Sequence, residues 1–78
     1  MHIRVRLYGD LVKYATDTKP YQWLGELAEG STVTHLFSAI GCTEKEVVRI
    51  LRNGIPITIE EQLQDGDVIY LLTRLGIG

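Results

Sequence analysis

The fold is decided by Val68-Ile69-Tyr70-Leu71-Leu72, an uninterrupted run of apolar and aromatic residues near the end of the chain. A strand with one solvent-exposed face alternates apolar and polar side chains, whereas this run places apolar side chains on both faces. It therefore predicts the central, most buried strand of a sheet. The tight-turn sequence Asp65-Gly66-Asp67 directly before it marks where the strand begins.

Two further strands are predicted in the N-terminal third. Residues 1–8 (MHIRVRLY) alternate between apolar and polar side chains, which is typical of a strand with one buried face. Residues 11–19 predict a turn or short helix. Residues 21–27 predict the second strand, which Glu29-Gly30-Ser31 closes.

The clearest helix signal begins at residue 32. Thr32 is a preferred N-cap residue, and Gly41 stands where glycine commonly ends a helix. Between them, apolar side chains recur at the spacing of one helical face: Val33, Leu36, Phe37 and Ile40. The pattern predicts a short helix with one apolar stripe, which a single sheet face can cover.

Turn chemistry organises residues 43–57. Thr43-Glu44-Lys45-Glu46 has the form of a capping box and predicts one helical turn, and residues 47–51 predict a strand. Asn53-Gly54 is a strong hairpin signal, so Ile55-Pro56-Ile57 begins a returning strand. Because Pro56 cannot donate a hydrogen bond to a neighbouring strand, the returning strand belongs at a sheet edge.

The elements come in the order strand, strand, helix, strand, short strand, long strand. They predict an α+β domain with the ubiquitin-like β-grasp fold: a mixed sheet of about four to five strands with one helix packed across one face. The first and last strands are expected side by side in the middle of the sheet. We expect residues 1–74 to form this single domain and residues 75–78 to form a flexible C-terminal tail.

Composition excludes several classes of function. The chain has 78 residues, a net charge of −2 and one cysteine, so it holds one small core and no internal disulfide. No basic stripe could neutralise nucleic-acid phosphates, and no Cys/His cluster predicts a metal site. No signal segment opens the sequence and no apolar run approaches the ~20 residues of a membrane span. The sequence predicts a cytoplasmic protein without nucleic-acid or membrane partners.

The isolated Cys42, His2 and His35 are interpreted as structural or surface residues. Cys42 follows the helix end, where the helix dipole disfavours a thiolate. The two histidines have no partner at ligand spacing, and no Ser-His-Asp arrangement can be assembled from so few residues. Intrinsic catalysis is therefore not expected.

Four stretches of the sequence resemble the MoaD/ThiS family of ubiquitin-like sulfur carriers, and the resemblance extends over essentially the whole chain. The four are Ile3-Arg4-Val5-Arg6-Leu7-Tyr8-Gly9, Glu29-Gly30-Ser31-Thr32-Val33, Arg52-Asn53-Gly54-Ile55-Pro56 and Leu63-Gln64-Asp65-Gly66-Asp67-Val68. The last two are the most specific. Each is also turn chemistry used by other small β proteins, so together they support the fold more strongly than the function.

The resemblance implies a carrier protein rather than an enzyme. In the family, an E1-like adenylyltransferase uses ATP to adenylate the C-terminal glycine carboxylate, and a sulfur donor converts the adenylate to a thiocarboxylate. The corresponding residue here is Gly78. The sulfur then passes, in molybdopterin or thiamin biosynthesis, to an acceptor such as the molybdopterin synthase large subunit or thiazole synthase. The resemblance implies no bound cofactor, ATP being used by the activating partner.

The tail departs from the family pattern at one position. Family members end in Gly-Gly, whereas this chain reads Leu75-Gly76-Ile77-Gly78. A glycine pair can thread a narrow channel with backbone angles closed to other residues. Ile77 is β-branched and stiff, so a channel shaped around glycine would clash with it. The reacting carboxylate still belongs to Gly78. Ile77 in place of glycine affects how readily this carboxylate can enter a partner's active site.

The sheet face away from the helix is the expected docking surface. If the first and last strands are neighbours, Arg4, Arg6 and Arg74 lie near one another there, beside Tyr70 of the last strand. The alternative is that these arginines only pair with nearby carboxylates. Apolar residues of that face would be covered by residues 11–19, by a partner or by a second copy.

Two other functions stay open. The chain could be a non-conjugating ubiquitin-like module that docks through its sheet face, with no chemistry at the tail. It could also be a ubiquitin-like protein modifier that joins Gly78 to a lysine amine.

Overall fold

The computed structural model describes residues 1–18 and 21–73. In chain order, the strands and the helix are β1 (His2–Leu7), β2 (Asp17–Thr18), β3 (Tyr21–Glu26), α1 (Val33–Ile40), β4 (Arg49–Arg52), β5 (Ile55–Pro56) and β6 (Val68–Leu72). Two short 3₁₀ helices, Gly9–Tyr14 and Glu44–Glu46, follow β1 and α1 respectively. Within the described ranges, no helix is long and apolar enough to cross a membrane.

The strands form one mixed sheet in the order β2-β3-β1-β6-β4-β5. β1 and β6 lie parallel at its centre, with Val5 opposite Ile69, and the other neighbouring strands are antiparallel. The predicted β-grasp fold and the central pairing of the first and last strands are confirmed. The described sheet has six strands rather than four to five. The additional strand is β2, which is too short to give a periodic sequence signal.

The core lies between α1 and one face of the sheet. Its buried members come from β1, β6, α1 and the segments that connect them: Ile3, Val5, Leu7, Leu11, Val33, Leu36, Phe37, Cys42, Leu63, Ile69 and Leu71. Leu11 belongs to this core, so the first 3₁₀ helix packs on the helix side of the sheet. The first 3₁₀ helix therefore does not cover the opposite face.

Both ends of α1 lie where the sequence predicts them. Gly41 adopts a left-handed φ of 95°, and its N–H donates to the carbonyl of Phe37 at 2.8 Å. At the start of the helix, the backbone N–H of Thr32 donates to Nδ1 of His35 at 2.9 Å. His35 thus occupies the place that glutamate or glutamine takes in an ordinary capping box, a role that the sequence reading missed.

The hairpin between β4 and β5 forms as predicted. Asn53 and Gly54 have φ angles of 55° and 77°, the positive values that a tight two-residue turn requires. Pro56 lies in the outermost strand, in agreement with its missing N–H. β4 begins at Arg49 rather than at residue 47, because the N–H of Val47 donates to Glu44 and ends the second 3₁₀ helix.

A cluster of ion pairs connects β4 to the turn that precedes β6. The Arg52 guanidinium lies 2.8 Å from Glu61 Oε2 and 3.4 Å from Asp67 Oδ2. It also donates to the carbonyl of Gln62 at 3.0 Å. Asp67 in turn accepts the N–H of Gln64 at 2.8 Å, so one arginine and one aspartate fix the loop between β5 and β6.

Candidate functional site

The sheet surface turned away from α1 is the open face. Side chains alternate along each strand, so this face receives every second residue of β1, β2, β3, β4 and β6. Its members are His2, Arg4, Arg6, Asp17, Gln22, Leu24, Glu26, Arg49, Leu51, Val68, Tyr70 and Leu72. Within it, Arg4 lies opposite Val68 and Arg6 opposite Tyr70. The structure therefore brings together three of the four predicted docking residues, while Arg74 lies outside the described residues.

The centre of the open face is apolar and only partly buried. Val68, Tyr70 and Leu51 are half-buried, and Leu24 is 45% exposed. The Tyr70 ring stacks on that of Tyr8, with centroids 6.1 Å apart and planes 11° from parallel. Val68, Tyr70 and Leu51 line a depression of about 520 Å³ that is bordered by Arg4, Arg6 and the Asn53-Gly54 turn.

The arginines of the open face lack carboxylate partners in the described part of the chain. No described carboxylate oxygen lies within 4.0 Å of Arg4, Arg6 or Arg49, in contrast with the paired Arg52. Among these residues, the buried Nε of Arg6 and the Oε1 of its cross-strand neighbour Gln22 have no hydrogen-bond partner. No sequence pattern predicts that Gln22 is buried.

The end of β6 is held against the turn after β1. The N–H of Tyr8 donates to the carbonyl of Leu71 at 3.2 Å. Gly9 has a left-handed φ of 62°, and a Cβ there would collide with Cγ2 of Thr73. Glycine is therefore required both by the backbone angle and by this close approach. The tail residues Leu75, Gly76, Ile77 and Gly78 lie outside the described residues, and their role stays a prediction.

A polar cluster joins the two 3₁₀ helices. The Tyr14 hydroxyl donates to both carboxylate oxygens of Glu46, at 2.7 and 2.9 Å. The N–H of Thr43 donates to Glu46 at 2.8 Å, and Lys13 Nζ lies 3.4 Å away. The Thr43 N–H and the Tyr14 hydroxyl lower the pKa of Glu46 to about 2, and the hydrogen bond to Glu46 raises the pKa of Tyr14 to about 12. Burial raises the pKa of the neighbouring Cys42 thiol, which argues against a reactive thiolate.

Tyr14→Phe is expected to lower stability at neutral pH. The pKa of Glu46 is depressed from 4.5 to about 2, so its contribution is present above pH 4.5 and is lost as the pH falls toward 2. The pKa of Tyr14 is raised from 10 to about 12, so the same contact weakens as the pH rises from 10 through 12.

Two measurements check this prediction. The urea midpoint of the phenylalanine variant should be lower than that of the parent at pH 7, with the difference shrinking toward pH 2. The NMR-titrated pKa of Glu46 should rise in the variant but stay below 4.5, because the Thr43 N–H still donates to it. An unchanged pKa of Glu46 would show that the hydroxyl contributes nothing.

The described residues offer no obvious metal centre. Among them, no three His, Cys, Asp or Glu side chains converge as metal ligands would. What the described geometry does offer is an open sheet face with an apolar centre and arginines around it, which is a surface suited to docking.

Comparisons with solved structures place the chain among ubiquitin-like β-grasp proteins. SAMP1 of Haloferax volcanii, a small archaeal modifier protein, matches over 100% of both chains at 21% identity and a TM-score of 0.74. A putative molybdopterin converting factor subunit 1 of Pyrococcus furiosus matches over 96% of this chain and 99% of its own, at 24% identity and a TM-score of 0.72.

A third structure shows a relative bound to a protein partner. It is a complex of subunits 1 and 2 of the molybdopterin-converting factor from Helicobacter pylori, with 26% identity, full coverage of both chains and a TM-score of 0.64. These neighbours confirm the resemblance to ubiquitin-like proteins of the molybdopterin converting factor type. No curated protein matches the chain. Residues 1–72 match the family described as Mut7-C ubiquitin, and the chain therefore belongs to that family.

Proposed function

We propose that the protein is a sulfur carrier that docks through its open face and reacts through Gly78. An E1-like adenylyltransferase, and then a sulfur acceptor, binds the rigid domain through its open face. It acts as a carrier with partner enzymes rather than as an enzyme. The acceptor would belong to molybdopterin or thiamin biosynthesis, as in the converting-factor subunits that the fold resembles.

The observation that carries this proposal is the position of β6, the strand that leads into the tail. β6 lies between β1 and β4, and its Ile69 and Leu71 are fully buried. Thr73 packs against Gly9, so the chain is held in place just before Arg74 and the tail. The five residues from 74 to 78 span at most about 17 Å when extended. This reach lets a terminal carboxylate enter a partner's active site while the domain stays outside.

The proposed chemistry has two steps. First, a carboxylate oxygen of Gly78 attacks the α-phosphorus of ATP, and pyrophosphate leaves as the acyl-adenylate forms. A hydrosulfide donor then attacks the acyl carbon. The bond from that carbon to the AMP oxygen breaks, AMP departs with the electron pair, and the proton on sulfur passes to solvent. The product is a thiocarboxylate, and no oxidant or reductant is consumed.

The first step can be tested by itself. With the E1-like enzyme of the same organism, the chain should support exchange between ATP and labelled pyrophosphate, because adenylate formation is reversible. A variant that lacks Gly78 controls for nonspecific stimulation of the enzyme. Equal exchange with and without Gly78 would exclude this residue as the site of adenylation.

A non-conjugating docking module is the second candidate, and Ile77 is the observation that favours it. It replaces the first glycine of the family's terminal pair and so obstructs a narrow channel. In this case deletion of residues 76–78 should leave the cellular function of the protein intact, whereas a carrier would lose it. A Gly78 isopeptide bond to a lysine in cell extracts would instead identify a protein modifier.

A further inference from the structure

The charges of the open face are segregated. Over its β1, β6 and β4 portion, arginine side chains stand at Arg4, Arg6 and Arg49 without a carboxylate among them. The two carboxylates of the face, Asp17 and Glu26, lie on the β2 and β3 side. Asp17 accepts the amide of Gln22 at 3.1 Å, and Glu26 lies 3.4 Å from His2. A net charge of −2 for the whole chain makes this basic half a local exception.

The arginines of this half form no ion pair with the described part of the chain. Arg52, by contrast, stabilises the fold, because its guanidinium pairs with two carboxylates and donates to a backbone carbonyl. Arg4 and Arg49 are exposed and have no such contacts in residues 1–18 and 21–73, and Arg6 buries an Nε with no acceptor in these ranges. Within these ranges, the exposed guanidinium groups of Arg4 and Arg49 are thus open to an external acceptor, whereas the buried Nε of Arg6 is out of its reach.

We propose that the basic half of the open face binds an acidic protein surface, in which an apolar side chain is flanked by carboxylates. The apolar side chain enters the depression over Val68 and Tyr70. The flanking carboxylates pair with Arg4, Arg6 and Arg49. This proposal specifies the kind of partner surface that the open face would bind in the proposed function, and it rests on that docking role. It does not depend on reaction at Gly78.

The same surface fits a nucleic acid less well. Single-stranded nucleic acid needs aromatic rings with open faces for base stacking, together with a long basic track. Here Tyr8 and Tyr70 stack on each other, and aliphatic side chains (Leu51, Val68, Leu72) occupy the rest of the floor. Three arginines around an apolar centre match the composition of a protein interface, in which arginine and tyrosine are enriched.

The test is an NMR titration of the full, isotope-labelled chain with defined probes. The first is a synthetic hexapeptide with a Leu-Phe centre and two acidic residues on each side. The second carries Gln and Asn in place of Glu and Asp, and the third is a single-stranded oligouridylate. We expect shifts concentrated at Arg4, Arg49 and Tyr70. The acidic peptide should bind about tenfold more tightly than its amide counterpart, because each exposed ion pair contributes modestly.

Variants separate this face from general electrostatic attraction. Arg4→Glu and Arg49→Glu should each remove most of the preference for the acidic peptide, and Arg4→Gln should remove part of it. Lys45→Glu, the same charge change at an exposed site outside the open face, should leave it unchanged. The preference should also fall as ionic strength rises.

Three results would overturn the proposal. They are equal affinity for both peptides, shifts centred on α1, and tighter binding of the oligouridylate than of the acidic peptide. None of these outcomes bears on Gly78, so a failure of the docking chemistry stays distinguishable from a failure of the sulfur-carrier reaction. Amide spectra of each variant verify that it is folded.

Discussion

Ile77→Gly should raise the rate of Gly78 adenylation by about tenfold or more, the effect of relieving a clash of about 1.4 kcal/mol in the transition state. The reason is steric. A channel that accepts a glycine pair has no room for a β-branched side chain, and glycine also adopts the backbone angles that isoleucine avoids. Single-turnover adenylation with the E1-like enzyme of the same organism measures the effect directly.

A graded series makes this prediction sharper. Ile77→Ala removes the branch but keeps Cβ, so its rate should lie between those of isoleucine and glycine. Affinity of the domain for the enzyme should stay constant, because the open face is unaltered. If the glycine variant is slower than the parent, the partner recognises Ile77 itself and the account of restricted access is wrong.

Gly9→Ala should lower the free energy of unfolding by about 2–3 kcal/mol, through backbone strain and steric overlap together. The φ of 62° is left-handed, and the added Cβ would collide with Cγ2 of Thr73. Denaturant unfolding of the variant measures the total effect. Because Thr73 lies just before Arg74 and the tail, its amide and those that follow should also shift in NMR spectra.

Gly30→Ala is the matched control for this substitution. Gly30 also has a positive φ, 85°, but nothing lies within 4 Å of an added Cβ, so this variant isolates backbone strain. Thr73→Ser in the Gly9→Ala background removes the colliding methyl and should recover the steric part. Equal losses for the alanine variants at positions 9 and 30 would show that the approach to Thr73 contributes nothing.

The parts of the fold that could be predicted are those encoded locally. Pro56 lacks an N–H in any context, so its place at a sheet edge follows from the residue itself. Asn53-Gly54 fixes a turn and hence a register, and the spacing of Val33, Leu36 and Phe37 fixes a helical face. β2 was not predicted, because its two residues, Asp17 and Thr18, pair only with β3 and are too few to show a periodic pattern.

The site depended on contacts between distant segments. The sequence predicted that Arg4, Arg6 and Tyr70 share a face, because alternation and strand order together imply it. It left open whether nearby carboxylates would pair with these arginines, since that depends on side-chain positions across several strands. The bond from Tyr14 to Glu46 joins residues that no sequence spacing connects. The tail, from Leu75 to Gly78, stays a prediction from sequence and family resemblance, and so does the place of Arg74.

The most direct test of the carrier proposal is the intact mass of the protein after incubation with the E1-like enzyme, ATP and sulfide. The proposal predicts a mass increase equal to the exchange of one oxygen for one sulfur. Fragmentation should locate this increase at Gly78. An unchanged mass, under conditions in which the same enzyme thiolates another carrier from the organism, would contradict the proposal and leave the domain as a docking module.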